Sequence, residues 1–405
     1  MIRSLVFEPI QLGPVTLRNR TIRAAAFEGM CKDWNVTDAL IQYHRSVSEG
    51  GIGMTTVAYA SVSKDGLAFP HQLWIRNEIR ADLKKLTDSI HAGGAKASIQ
   101  IGHTGNMSKK SVTGFRPISA SARFNLYGPT WPRKMNSVDI QRVVNDFKKS
   151  VVLLKECGFD AVEIHAGHGY LISQFLSPYT NRRKDEYGGC FENRSRFLRE
   201  VLTAVREAAG QEMAVLVKMN MWDGFEGGIT LKEAYQTAKV IESCGGDAIV
   251  LSAGFVSKAP MYIMRGKMPT QIMAKQIKNL VVKFLVGMMG QKLIRPYPFS
   301  EGYLIEEAKQ FRNKVKIPLV YVGGMNSVET IEKALKNGAD CVAIARALIQ
   351  NPAFVNDLRN EMIQKSGCTI CNYCVAIIYT GQMRCFMNEK NLSSAIREQL
   401  KHPEL

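Results

Sequence analysis

The sequence predicts one α/β domain, a single (β/α)8 TIM barrel with loop insertions and a helical C-terminal tail. Three observations carry this reading. Eight short runs of β-branched and small apolar residues recur between about residues 20 and 350. Amphipathic stretches with helical period separate most of them. No Gly-x-Gly-x-x-Gly follows an early run, as a doubly wound dinucleotide-binding sheet would show.

The strand candidates are Thr21–Ala26, Met54–Ala60, Lys96–Ile101, Ala161–His165, Ala214–Met219, Asp247–Leu251, Leu319–Val322 and Cys341–Ala345. The helical stretches are Arg80–Ala92, Ser137–Cys157, Arg194–Ala209, Leu231–Cys244 and Ser327–Asn337, each ending near a glycine. Strand and helix alternating in this way close a parallel sheet into a barrel. Ser108–Pro132, rich in Ser, Pro and aromatics, reads as a loop covering a pocket. Ser257–Tyr303 carries its own helix. Residues 1–360 make the barrel, and 361–405 form a Cys-containing helical extension packed on it.

Nothing in the composition asks for another class. The chain has 405 residues, 46% hydrophobic and 22% charged, enough for a large core. Asn279–Gly290 is its most apolar run, but it is short and contains Lys283, so it reads as a buried or interfacial helix, not a membrane span. The opening MIRSLVFEPI lacks the apolar core of a secretory signal, and a cytoplasmic location is expected. The formal charge of +17 is spread along the chain without a basic–aromatic run. That argues against nucleic acid and for a field that draws in anionic ligands. A homo-oligomer is compatible with this composition.

The most informative stretch is Glu163-Ile164-His165-Ala166-Gly167-His168-Gly169-Tyr170-Leu171. It sets two imidazoles and a phenol at the carboxyl end of a buried strand, where parallel α/β folds bind ligands. Two imidazoles three residues apart can donate to one oxygen, and a phenol can deliver a proton beside it. This suits a carbonyl that is polarised and then protonated, although two His on one loop also serve structural or metal-binding roles. Further on, Val320–Val322 ends in Gly323-Gly324, and the next strand ends in Ala345-Arg346. Loops after the seventh and eighth strands often hold phosphate in barrels. Glycine lets backbone N–H groups approach the anion, and Arg346 adds charge-assisted bonds. A plain tight turn is the alternative.

The block His165–Leu171, Gln174–Pro178, Asn181–Arg183, Asp185–Gly189 and Glu192–Arg194, with Leu17–Arg20 before it and Gly323, Gly324 and Arg346 after it, resembles the signature of the Old Yellow Enzyme family. These are FMN-dependent ene-reductases on a (β/α)8 barrel, a family that includes the flavin domain of 2,4-dienoyl-CoA reductases. The resemblance spans Phe7 to about Asn360. It implies FMN as cofactor, NADH or NADPH as reductant, and a small α,β-unsaturated carbonyl compound as substrate. It also implies that Gln100 meets the flavin pyrimidine edge, where an amide offers both donor and acceptor. Lys218 takes the cation position near flavin N1, held in many relatives by an Arg whose fork a Lys lacks. Ala24, Ala25 and Ala26 pack along the flavin, Phe27, Tyr59 and Ala345 join the cofactor set, and Gly323, Gly324 and Arg346 clamp the phosphate. His165 and His168 bind the substrate oxygen, and Tyr170 donates the proton. Two departures stand out. Phe27 replaces a Thr or Cys that hydrogen-bonds the flavin, and Ala345 replaces a common Gly.

Nine cysteines are present. Cys31, Cys157, Cys190, Cys244 and Cys341 are scattered and read as reduced thiols. Cys368, Cys371, Cys374 and Cys385 crowd together, close to the iron–sulfur run of the dienoyl-CoA reductases but with one residue fewer between the second and third. A [4Fe–4S] centre, zinc and structural thiols all stay open. Two rival functions stay open as well. One is a barrel lyase with Lys218 as Schiff-base amine, and the other a metal-bearing electron-transfer or interaction module.

Overall fold

A computed structural model of the chain describes residues 4–125, 129–270, 294–378 and 381–389, with the single positions 272, 274, 280, 283, 288, 290 and 400. Its eight parallel strands are β1 (Thr21–Arg23), β2 (Met54–Ser61), β3 (Lys96–Gly102), β4 (Ala161–Ala166), β5 (Ala214–Asn220), β6 (Ala248–Ser252), β7 (Leu319–Val322) and β8 (Cys341–Ile344). Each pairs with its neighbour in chain order, and β8 returns to β1 through the register Val342↔Thr21. The sheet is closed, so no edge among these strands is left unpaired.

The helices behind the strands are α1 (Asp38–Glu49), α2 (Arg80–Ala92), α3 (Ser137–Glu156), α4 (Arg196–Ala209), α5 (Leu231–Ser243), α6 (Ile305–Ala308), α7 (Val328–Lys336) and α8 (Arg346–Gln350). Sequence dictates their bounds locally. Asn136 and Asp139 form a capping box that starts α3, and Thr230 with Glu233 does the same for α5. In α4 the buried Phe197, Leu198, Val201, Leu202 and Val205 form one stripe against the barrel. The five predicted helices appear with ends shifted by at most two residues. α1, α6 and α8 and the N-terminal hairpin were not anticipated.

That hairpin, Ile10–Leu12 antiparallel to Val15–Leu17, plugs the amino end of the barrel. Its Leu12, Val15 and Leu17 join the inward Ile22, Ala161, Ala214, Leu216, Ala248, Val250 and Val320 in one apolar cluster. Burial of these side chains seals the bottom and leaves the carboxyl end of the strands as the open end. Side chains alternate along each strand. The residues that follow the plug on the inner face are therefore Glu163 and His165 after Ala161, Lys218 after Leu216, and Ser252 after Val250.

Among the described residues no helix is long and apolar enough to cross a membrane. The apolar run at 279–290 falls mostly outside the described residues. In the tail the described helices are short, Tyr373–Ile377 and a 3-10 turn at Phe386–Asn388. Met383 donates its backbone N–H to Glu28 O at 2.7 Å, and His71 Nε2 meets Ile378 O at 2.7 Å. The tail thereby touches the loops that follow β1 and β2.

Candidate active site

A cavity of about 280 Å³ opens at the carboxyl end of the barrel. All fourteen residues singled out for cofactor binding or catalysis line it: Ala24, Ala25, Ala26, Phe27, Tyr59, Gln100, His165, His168, Tyr170, Lys218, Gly323, Gly324, Ala345 and Arg346. They come from loops and strand ends spread over more than 300 residues of chain.

At one side, β4 and the loop after it place His165, His168 and Tyr170 together. The His165 and His168 rings stand 5.1 Å apart and nearly perpendicular, and the Tyr170 ring lies 4.3 Å from His165. Tyr59 completes the group, 5.1 Å from Tyr170. The loop must fold tightly to do this. His168 sits in the left-handed region at φ 58°, and Gly169 follows at φ 81°, where a Cβ would come within 2.4 Å of the Phe255 ring. Asn220 Oδ1 accepts from the His168 backbone N–H at 3.0 Å, while its own amide donates to Asp223 and Gly254. His168 Nε2 meets Ser252 Oγ at 2.7 Å, which fixes the rotation of the ring.

Burial pushes both imidazoles toward neutrality. His165 is held well below the usual histidine value by desolvation, then by the charges of His168 and Lys218. His168 is pushed down to about 3 by desolvation and then by Lys218. Two neutral imidazoles can each donate one N–H to an oxygen without bringing a second positive charge beside Lys218.

Next to the imidazoles, Gln100 and Lys218 meet a residue whose role the sequence did not disclose. Glu163 Oε1 accepts from Gln100 Nε2 at 2.6 Å and lies 2.8 Å from Lys218 Nζ, with Glu163 only 2% exposed. At the glycine end, Gly324 has φ 72°, and a Cβ there would lie 2.9 Å from Gly302 N and Ser300 O. Arg346 Nη1 donates to Asn372 Oδ1 at 2.8 Å, tying the cation to the C-terminal tail.

The cover of the cavity differs from expectation. Of the described residues in 108–132, Lys109 alone lines it, and Phe115, Phe124 and Trp131 of that loop are exposed. Ile263, Met264 and Tyr303 of the second insertion and Cys374, Val375, Ile378 and Met383 of the tail line it instead. Phe27 stacks on Phe69 with centroids 5.1 Å apart, an apolar wall where a hydroxyl or thiol donor would otherwise stand.

Cys368, Cys371, Cys374 and Cys385 line one small cavity of about 20 Å³ beside Arg346, and Cys374 borders the main cavity as well. Burial pushes Cys374 up to about 12, and nearby thiols add to the rise. Among the described residues no three His, Cys, Asp or Glu stand close enough to hold a metal ion. The donor set suits a thiolate-held centre; its present spacing does not.

The NADH:flavin oxidoreductase / NADH oxidase family model matches residues 5–296, more than half of the chain. The chain belongs to this family. A shorter match to a histidine biosynthesis protein family covers residues 300–370, the part of the barrel that contains β7 and β8. The chain is 39% identical over 386 residues to a 4,4'-dithiodibutanoate disulfide reductase of Rhodococcus erythropolis, covering 95% of both chains. Its structure superposes on a 2-naphthoyl-CoA reductase complexed with 2-naphthoyl-CoA, with a TM-score of 0.81 and 26% identity. That match covers 95% of this chain and 57% of the other, so the chain spans little more than half of that reductase. An Old Yellow Enzyme homologue of Zymomonas mobilis shares the fold, with TM-score 0.72 and 23% identity over 93% and 97% of the two chains.

As a member of this family the chain is an FMN-dependent oxidoreductase that uses NADH or NADPH. Membership overturns the lyase reading, and the reading of the chain as a metal-bearing module alone, since the barrel itself is a flavin oxidoreductase. The lyase has a physical objection too: a Schiff-base amine must be free to attack, whereas Lys218 is locked in an ion pair with Glu163. The cavity passes its own test for a flavin. It is lined by a donor–acceptor amide and a cation, by small alanines, and by a glycine turn and an arginine.

Proposed function

We propose that the chain is an ene-reductase, reducing the C=C bond of small α,β-unsaturated carbonyl compounds at the expense of NAD(P)H. The observation that carries this is the grouping of two neutral imidazoles with a phenol in one cavity. FMN, when bound, supplies hydride transfer. The protein's part is the rest. Ala24, Ala25, Ala26, Phe27 and Tyr59 shape the cofactor wall, with Gln100 and Lys218 at its polar rim and Gly323, Gly324, Ala345 and Arg346 at its phosphate end. His165 and His168 donate to the substrate oxygen and stabilise the charge that develops there when Cβ accepts a hydride. Tyr170 protonates Cα, and a phenol of pKa about 10 matches an enolate carbon better than a carboxylic acid would. The working location proposed is the cytoplasm.

The test is direct. Purified protein should be yellow, and added 2-cyclohexenone should drive NAD(P)H consumption under anaerobic conditions. A colourless preparation that takes up no FMN would sink the cofactor reading; a yellow one inert to a panel of enones would sink the substrate reading.

A second substrate class has support from the Rhodococcus relative, named for cleaving an organic disulfide. Hydride delivery to one sulfur would release the other as thiolate, and Tyr170 could protonate it, giving two thiols. Comparing 4,4'-dithiodibutanoate with enones as oxidants ranks the two classes.

We also propose that the four cysteines draw together around a thiolate-held metal when one is supplied: they line one small cavity, although among the described residues no three stand within ligating distance of a common point. Anaerobically purified protein should contain stoichiometric iron or zinc, and Cys371→Ser should lose it. Absence of both metals would leave the four as structural thiols.

A further inference from the structure

We propose that Glu163 is a positioning residue that partly cancels the charge of Lys218 and fixes the amide of Gln100 at the polar rim of the cavity. The inference rests on the cavity being the FMN site. Gln100 and Lys218 line the cavity; Glu163 does not, standing behind both with one carboxylate oxygen shared between them. The arrangement follows from the sheet. β4 lies between β3 and β5, Gln100 is in register with Glu163, and Lys218 is one strand over, in register with His165. One inward-facing side chain on the middle strand therefore reaches both flanking ones.

Two consequences follow. First, an ammonium with a carboxylate at 2.8 Å presents far less net charge to the cavity than a lone ammonium would. In this buried setting water screens little of the difference, since Glu163 is 2% exposed and Lys218 3%. Reduction places negative charge on a flavin, so the strength of the cation beside it sets how readily the flavin accepts electrons. Glu163 holds that readiness down. Second, an amide can turn over, and its orientation is set by its partners. With Nε2 donating to Glu163, Gln100 keeps Oε1, an acceptor, for a donor in the cavity.

The test is a spectroscopic redox titration of the FMN-loaded protein. Glu163→Gln keeps the shape of the side chain and removes its charge. The reduced state should become favoured by at least tenfold in equilibrium constant, a shift of about 30 mV upward for a two-electron couple. Glu163→Asp, which keeps the charge, should stay nearer the parent than Glu163→Gln does. A Glu163→Gln potential equal to or below the parent's overturns the proposal. If that variant fails to retain flavin, the double variant Glu163→Gln/Lys218→Gln decides, because it buries no unpaired ion. Cancelling charges predict a potential within tenfold of the parent in equilibrium constant; a larger fall means Lys218 acts uncancelled, and the proposal fails. The two ways of failing are distinct. A parent protein without flavin absorbance removes the cofactor reading itself, whereas a yellow parent with an unmoved potential removes only the role given to Glu163.

Discussion

Replacing Tyr170 with Phe is expected to leave reduction of the bound flavin by NAD(P)H unchanged while slowing its reoxidation by an enone ~10²–10⁴-fold, the usual contribution of a positioned proton donor. The substitution is a clean one here. The Tyr170 ring packs 4.3 Å from His165 and 5.1 Å from Tyr59, and Phe keeps that packing while losing only the hydroxyl. Binding of the nicotinamide needs no proton from Tyr170, so the two half-reactions should separate in stopped-flow traces. Tyr59, 4% exposed and 6.0 Å from the His165 ring, is the other phenol within the group. Equal reoxidation rates for Tyr170→Phe and the parent, with a slow Tyr59→Phe, would move the donor role to Tyr59.

The barrel was legible because its strands are continuous β-branched runs. β7 and the helix α2 were read to the residue. Most of what escaped was too short to leave a periodic signal: the plug hairpin has three-residue strands and α6 is a single turn. Propensity has little to act on over such lengths. α1 is the exception, a twelve-residue helix capped by Thr37 with Leu40, His44 and Val47 buried along one face, so its signal was present in the sequence.

The site divides the same way. His165, His168 and Tyr170 sit within six residues of one another, so their meeting is local and could be read directly. The glycine pair and Arg346 needed only the barrel rule about the last two strands. Glu163 was in plain view at the head of the Glu163–Leu171 run, and a lone acid in a buried strand was itself the signal. Its partners lie 63 and 55 residues away, and only the strand register shows that one oxygen serves both. The cover over the cavity was the least legible part. Val375, Ile378 and Met383 reach it from a tail more than 300 residues distant from the Ala24–Phe27 wall. The Ser- and Pro-rich loop that looked like a lid mostly turns its aromatics outward.

Removing one imidazole should have the next largest effect. His165→Ala is expected to slow enone reduction ~10²–10³-fold, about 3–4 kcal/mol of transition-state stabilisation, as for other pre-aimed donors to developing negative charge. The protonation state makes a sharper test than the rate. Both imidazoles are neutral when folded, His165 held well below its usual 6.5 and His168 at about 3. Reoxidation by an enone should therefore show no inflection near pH 6.5 from these two groups. A rate that falls as pH rises through 6.5 would mean that an imidazolium, not an imidazole, polarises the carbonyl. Stability carries the complementary signature. Below about pH 6.5 the unfolded chain binds protons at these two positions that the folded chain does not, down to about pH 3 for His168, so stability drops as pH falls through that window. In His165→Ala/His168→Ala that part of the acid destabilisation should shrink, and denaturant midpoints at pH 7 and pH 5 should lie closer together than in the parent. An unaltered gap would show that these two rings take up protons in the folded protein over the same pH range as in the unfolded chain, and burial would then not be what keeps them neutral.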